Sequence, residues 1–238
     1  MVPTARLYSQ YPEWAGGRWR YAGSIFDPYT RQDALGHTTG LQRIVVTLGT
    51  EAFGFRRAVE KLLDVLPHHA EVLWQTGGTD ATGLGIHARA SVPGDELRAA
   101  ISAADLVVSH AGTGSALTAF DLGKTPLILP RESKYHEHID DHQMLTAKEL
   151  ERRGLAVAVP VGSLSSEHLE LAMASRVVKD DISRPFELAE DSGFGRATVI
   201  ELRARVHAGG PNANRTRATA LAGDRASWQQ SQSRAATE

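Results

Sequence analysis

The 238 residues suffice for one large domain or two small ones, and a 42% hydrophobic fraction supplies ample material for a core. With 26 basic against 28 acidic side chains there is no electrostatic reason to expect nucleic acid as a partner, and the absence of cysteine excludes disulfides and thiolate metal sites. No apolar run approaches the ~20 residues of a membrane helix, and the N-terminus lacks the apolar stretch of a signal peptide, so the expected location is the cytoplasm.

Residues 1–40 carry Pro3, Pro12, Gly16, Gly17, Gly23, Pro28 and Gly36 among the aromatics Tyr8, Tyr11, Trp14, Trp19, Tyr21, Phe26 and Tyr29. Such punctuation argues against regular structure, yet so many aromatics do not suit a free linker. An ordered arm packed on something else is expected.

Regular structure is predicted from Arg43 onward. Ile44 to Leu48 reads as a strand, Gly49-Thr50 as a turn at its carboxyl end, and Arg56 to Leu66 as an amphipathic helix. Glu71 to Thr76 is a strand followed by Gly77-Gly78. A short strand at His87 to Val92 leads through Pro93-Gly94 to a helix from Asp95 to Ala103, with Asp95 as its N-cap. Leu106 to Val108 is a buried strand, His110 to Gly114 a tight loop, Ser115 to Leu122 a helix and Leu127 to Leu129 a further strand. After Pro130 come the polar loop RESKYHEHIDDHQ, a helix from Asp141 to Arg153, a strand from Leu155 to Val159 and a helix from Ser166 to Val178.

Strands alternating with helices through short loops give a doubly wound α/β domain with a mostly parallel sheet over residues 41–180. One further helix is expected within 181–207, and 208–238, rich in Ala, Gly, Ser, Gln, Asn and Arg, reads as a disordered tail. In such a sheet, ligands bind outside the carboxyl ends of the strands at a switch point. Gly49-Thr50, Gly77-Gly78, the His110 to Ser115 loop and the Arg131 to Gln143 loop all fall on that edge.

The His110 to Ser115 loop joins a strand's carboxyl end to a helix's amino end, where unpaired N–H groups and the helix dipole favour an anion, phosphate above all. Gly112 and Gly114 remove Cβ atoms so that backbone can approach a ligand, and Thr113 and Ser115 add hydroxyls. Two familiar phosphate motifs fail here. A Walker A reading of Gly123-Lys124-Thr125 needs glycine where Thr118 stands, and a dinucleotide fingerprint from Gly112 needs one at Leu117.

The segment SHAGTGSALTAFDLGKTPLILP, followed by HIDDHQ and a helix ending ELERRGLA, resembles the C-terminal, donor-binding domain of family 28 glycosyltransferases of the GT-B class. The likeness is strongest to single-domain subunits that supply the donor half of split N-acetylglucosaminyl or exopolysaccharide glycosyltransferases. VVTLGTEAFGF and VPGDELRAAISAADLVVSHAG match in order and spacing, so the resemblance covers residues 41–178.

The resemblance implies a Rossmann-like half of a GT-B fold and transfer of a hexose or N-acetylhexosamine from a UDP-sugar to a lipid-linked acceptor. Gly112, Thr113, Gly114 and Ser115 would hold the diphosphate with His110 beside them, Gly49 and Thr50 would face the same phosphates, and the backbone at Val92 would border the base. Asp141, His142 and Gln143 would contact the sugar. No cofactor is implied beyond the donor itself. With no Asp-x-Asp pair in the chain, the departing UDP would be met by fixed dipoles, with Arg131 or Lys134 adding positive potential.

Two departures stand out. Many members place a ribose-gripping glutamate where this chain has Thr118, and only an arm precedes Arg43 where a complete enzyme has an acceptor-binding domain. The arm's RWRYAGSIFDPY segment resembles an interdomain linker. The chain is therefore expected to need an acceptor-binding domain or subunit, with any membrane contact made through it.

Other readings stay open. His136, His138 and His142 with Asp140 and Asp141 have metal-ligand spacing, although sugar contacts and a solvated loop explain them more simply. His110 is the catalytic candidate, either as a general base or as a histidine that orders the loop. Lys124 is expected to cap a helix's carboxyl end and Glu149 to Arg153 to form a solvated face. A nucleotide-sugar epimerase and a non-catalytic nucleotide-sugar-binding module are the alternative functions.

Overall fold

The computed structural model describes residues 7–9, 11–12, 15–34 and 40–180; the helix expected within 181–207 and the tail 208–238 lie outside the described residues. The arm holds three short strands, β1 (Leu7–Ser9), β2 (Trp19–Tyr21) and β3 (Tyr29–Asp33). The first two pair with each other in parallel. Six strands follow: β4 (Arg43–Thr47), β5 (Glu71–Gln75), β6 (Ala88–Arg89), β7 (Leu106–His110), β8 (Leu127–Leu129) and β9 (Val157–Ala158). They form one all-parallel sheet in the order β6-β5-β4-β7-β8-β9. The strand order reverses between β4 and β7, so a crevice opens at their carboxyl ends.

The sheet is covered on both faces by α1 (Arg56–Val65), α2 (Gly94–Ala103), α3 (Thr113–Asp121), α4 (His142–Arg152) and α5 (Ser166–Met173). Alternation along β4 divides the core. Ile44, Val46 and Leu48 pack with Val59 and Leu62 of α1 and Leu169 of α5, while Val45 packs with Ile101 of α2 and Ala119 of α3. All five residues of β7 are buried, as a central parallel strand requires. Helix α5 starts with a reciprocal cap in which His168 stands where glutamate is usual, its Nδ1 2.8 Å from Ser165 Oγ.

Three expectations are corrected. The segment read as helix to Val178 leaves its helix at Met173, and β10 (Ser175–Lys179) pairs antiparallel with β3 of the arm. The strand predicted over His87 to Val92 is only β6. Asp95 sits in the first turn of α2 rather than at its N-cap, which is Pro93.

The arm enters the core through Phe26 and Tyr29, both against Phe120 of α3. Tyr29 Oη donates to Asp121 Oδ1 at 2.7 Å, and Lys179 Nζ reaches the same oxygen at 2.9 Å. Nor is Glu149 to Arg153 a merely solvated face. Glu149 is only 4% exposed and accepts from Arg152 and Arg153, while Arg153 also donates to Asp27 Oδ1 at 2.6 Å and so clips the arm to α4. Lys124 donates to the Ala104 carbonyl at 2.6 Å, capping α2 rather than its own helix.

Phe26→Ala removes a side chain that is 2% exposed and edge-on to Phe120. The substitution is expected to cost about 3–5 kcal/mol in urea denaturation, as for a core phenylalanine. A change below about 1 kcal/mol would show that the arm lies outside the cooperative unit.

Candidate functional site

The edge at the carboxyl ends of β4 and β7 is built from four loops. Thr47 of β4 lies beside Ser109 of β7, so Gly49 and Thr50 follow on one side of the crevice and His110 to Gly112 on the other. Helix α3 begins at Thr113, two residues earlier than predicted, and no side chain caps it. Thr113 and Gly114 are exposed, and a Cβ at Gly114 would meet nothing within 4 Å. The uncapped start of a nine-residue helix is thus exposed at the switch point, where its first-turn amides have no partner within the helix. Ser115 is half-buried, and Thr118 Oγ1 donates to the Gly114 carbonyl at 2.9 Å.

His110 occupies a different place from the one its residue type suggested. Its ring is only 7% exposed and lies between the two glycine loops. A Cβ on Gly112 would stand 2.2 Å from Nε2 and one on Gly49 2.9 Å from Cε1, so these glycines make room for the ring. Gly49 also has φ of +81°, where a side chain is strained in any case. Burial, with a further push from Arg131, lowers the imidazole from 6.5 to about 4, against weaker opposing pulls from the Thr47 backbone and Glu51. It is neutral at pH 7 and acts as a wedge that sets the loops apart.

Arg131 is likewise inside rather than at the surface. It is fully buried, and its guanidinium donates to the carbonyls of Leu48 (2.7 Å), Phe53 (2.9 Å), Gly54 (3.2 Å) and Glu137 (3.1 Å) over the Phe55 ring. It therefore positions the Gly49 loop and does not touch a ligand directly. Lys134 pairs with Glu132. Glu137, which the polar sequence of its loop had hidden, is 4% exposed and receives two bonds of 2.9 Å from Arg57. Nothing local in the sequence pairs these two residues.

Gln143 is 1% exposed, and its Oε1 accepts from the Arg131 amide at 3.2 Å, so it braces the loop end. Asp141 and His142 remain exposed; Asp141 Oδ1 accepts from the Ser133 amide at 2.8 Å. The Val92 amide donates to Gln75 Oε1 at 2.9 Å, and Gln75 in turn donates to Thr47 Oγ1 at 2.8 Å. The Gly77-Gly78 turn supports the first loop through a 2.9 Å bond from the Gly78 amide to the Glu51 carbonyl.

Of the residues singled out from sequence, Gly49, Thr50, Thr113, Gly114, Ser115, Asp141 and His142 thus lie on one edge with exposed or half-buried surface. Arg131, Gln143, His110 and Gly112 shape that edge from beneath. A cavity of about 670 Å³, lined by Leu41, Val65, Pro67, Leu169 and Met173 with Ser166 and Glu170, sits at the opposite, amino end of β4. The glycine loops, the uncapped start of α3 and the Asp141 to His142 corner lie instead at the switch point, where a doubly wound sheet binds its ligands. Among the described residues one group has the composition to hold a metal ion, His138, Asp140 and His142; by themselves these three do not close a coordination shell. No helix among the described residues is long and apolar enough to cross a membrane.

Residues 43–192 match the glycosyltransferase family 28 C-terminal domain. The chain is 30% identical over 157 residues, 60% of this chain and 40% of the relative, to the UDP-N-acetylglucosamine--N-acetylmuramyl-(pentapeptide) pyrophosphoryl-undecaprenol N-acetylglucosamine transferase of Geobacter sp. (strain M21). A shorter match, 42% identical over 59 residues, covers 25% of this chain and 28% of the UDP-N-acetylglucosamine transferase subunit ALG13 of Yarrowia lipolytica (strain CLIB 122 / E 150). Among solved structures, the glycosyltransferase SnogD from Streptomyces nogalater aligns with a TM-score of 0.40 and 27% identity over 58% of this chain and 37% of that one. The chain spans about 40% of the length of the first curated relatives it matches.

Two predictions test the histidine wedge. Gly112→Ala is expected to destabilise the fold by about 1–3 kcal/mol through the clash with His110, and combination with His110→Ala is expected to recover part of that cost in a double-mutant cycle. Gly114→Ala, facing open space, is the neutral control. Because the folded imidazole titrates near 4 and the unfolded one near 6.5, the unfolded chain binds the extra proton first as pH falls. Stability is therefore expected to drop by up to about 3 kcal/mol between pH 6.5 and 4, and His110→Gln to flatten that portion of the profile.

Proposed function

The chain belongs to the glycosyltransferase family 28 C-terminal domain family, and on that premise we propose that it is the donor-binding half of a hexosyltransferase that uses a UDP-sugar. The observation that carries this reading is the uncapped amino end of α3, exposed at the switch point of a parallel sheet. Amides of Thr113, Gly114 and Ser115 would take the diphosphate, with Gly49 and Thr50 opposite. The Val92 to Pro93 backbone would border the base, and Asp141 and His142 would meet the sugar hydroxyls. Polar partners of that kind discriminate sugars once a covering surface buries them, because an absent hydroxyl then leaves them unsatisfied.

In the proposed reaction an acceptor hydroxyl oxygen forms a bond to the anomeric carbon as the bond from that carbon to the β-phosphate oxygen breaks. UDP leaves with the electron pair, and the acceptor's proton passes to a base. The helix dipole and first-turn amides stabilise the charge that grows on the β-phosphate, without need of a metal. Arg131 adds field from below, although its hydrogen bonds go to backbone. His110 is buried between the glycine loops, where it would order them, and the base would come from an acceptor-binding domain or subunit. The relatives' names support N-acetylglucosamine as the sugar and a lipid-linked glycan as the acceptor. The reaction would run on the cytoplasmic side, any membrane contact arising through the acceptor-binding half.

UDP at a hundred times its dissociation constant is expected to add about 2.7 kcal/mol to the folded state, read as a clear thermal shift that ADP and NAD do not match. Gly114→Val should abolish the shift while the fold survives; an unchanged shift would move the nucleotide elsewhere. Thr118→Glu replaces a hydroxyl bonded to its own helix with a carboxylate able to reach ribose hydroxyls. It is expected to tighten UDP roughly tenfold, the value of one charged hydrogen bond. Turnover is expected only after an acceptor-binding half is added, and release of free UDP by this chain alone at ordinary enzyme rates would overturn the proposed division of labour.

A further inference from the structure

We propose that His138, Asp140 and His142 form a binding site for a divalent transition-metal ion of the zinc type. The ligand atoms of the three residues lie within 4.8 Å of one another. Nδ1 of His138 is 3.4 Å from Asp140 Oδ1, and Nδ1 of His142 contacts the same oxygen. Two ligands held tetrahedrally at about 2.1 Å from a zinc ion stand about 3.4 Å apart, so the first pair already has the bite of a metal chelate. Two imidazoles and one carboxylate, with further coordination positions left open, are the ligand set of an open zinc-type site.

A second observation concerns how His138 is held. Its side chain is only 7% exposed, its ring lies against Phe53 with centroids 5.5 Å apart, and its other nitrogen, Nε2, is 3.4 Å from Glu51 Oε2. The ring thus turns Nε2 toward Glu51 and Nδ1 toward Asp140. Nδ1 also accepts from the Asp140 amide at 3.4 Å. A carboxylate on the far nitrogen is the arrangement that orients metal-bound histidines and raises their donor strength. An ion seated between His138 Nδ1 and Asp140 Oδ1 would take both atoms as ligands. The remaining contacts of Asp140 Oδ1 are the amide of His142 at 3.1 Å and that residue's ring, which edges His138 at 4.6 Å between centroids. His136, although adjacent in sequence, sits exposed in a left-handed turn and is outside the group.

His142 is shared with the sugar contacts proposed above, but no ligand is among the α3 amides proposed for the diphosphate, so metal binding is tested without nucleotide. Its consequence is mechanical. An ion would join the His138 to His142 segment and, through Glu51, the loop after β4, fixing two sides of the crevice edge together.

The test uses the full chain, stripped with a chelator and titrated with zinc chloride by calorimetry and with cobalt(II) chloride by visible absorption. One equivalent of zinc is expected to bind, with a rise in thermal midpoint, and cobalt is expected to give the intense bands of a four- or five-coordinate nitrogen and oxygen site. His138→Gln and His142→Gln should each weaken zinc at least 100-fold, Glu51→Gln about tenfold to 100-fold through the orienting bond, and His136→Gln not at all. Absence of a stoichiometric event, a six-coordinate cobalt spectrum like that of the free ion, or unchanged affinity in the His138→Gln/His142→Gln double variant would overturn the assignment. The cobalt spectrum of the unsubstituted chain keeps the test decisive even where a variant folds poorly.

Discussion

The crevice edge depends on one buried charge. Backbone carbonyls at the carboxyl end of a parallel sheet, and in the loops that leave it, converge on a small volume and make it electronegative. Arg131 fills that volume, and its guanidinium joins carbonyls from two segments, Leu48 to Gly54 and Glu137. Burying a guanidinium costs several kcal/mol unless dipoles replace water, and here four carbonyls do so while Glu51 and Glu137 supply opposite charge nearby. Burial still holds the group below its usual range, but an arginine has ample margin to stay charged. Lysine, with a point charge and a tetrahedral head, does not reach four carbonyls in a plane.

From this follow the properties of the neighbouring groups. The positive charge beneath the loops reinforces burial in keeping His110 neutral, so the wedge can be dry without an unpaired ion. A neutral ring packs as a spacer, and glycine on either side is the complement of its thickness. The same charge adds to the α3 dipole above it. An anion at the amino end of α3, as proposed, would meet amide donors at the surface and positive potential from the layer below.

Much of the architecture was legible because buried parallel strands write themselves as short apolar runs: Ile44 to Leu48, Leu106 to Val108 and Leu127 to Leu129 all became strands of one sheet. The alternation of those runs with helical periods gave the fold class, and the glycine loop gave the switch point. What stayed hidden was long-range. Ser175 to Lys179 alternates buried and exposed as a strand should, but Leu169 and Ala172 extend a helical period into it, and its partner β3 lies in an arm whose polar sequence YTRQD signals no pairing. Glycines were visible as close approaches, yet sequence does not say what approaches; at Gly112 it is the chain's own histidine. Charged residues mislead in the same way. Arg131, Glu137 and Glu149 sit among polar neighbours, and only contacts such as Arg57 to Glu137, 80 residues apart, show them to be interior.

The edge so assembled is one wall. Thr113, Gly114, Asp141 and His142 are open to solvent, and apolar Phe53, Tyr135 and Ile139 stand exposed along the neighbouring loops. In water the field of a helix terminus is screened, whereas the same dipoles in a closed, low-dielectric cleft act with several times the strength. A donor bound here would accordingly be held without being strongly activated, because the leaving phosphate would still be stabilised mainly by solvent that must reorganise as charge moves. A second surface over the edge would remove that solvent and let the same dipoles act at full strength. The physical chemistry of the edge thus supports the proposed division between a donor wall and an acceptor wall by a route separate from family membership: fixed dipoles stabilise a leaving group best where water is shut out, and the described edge is open.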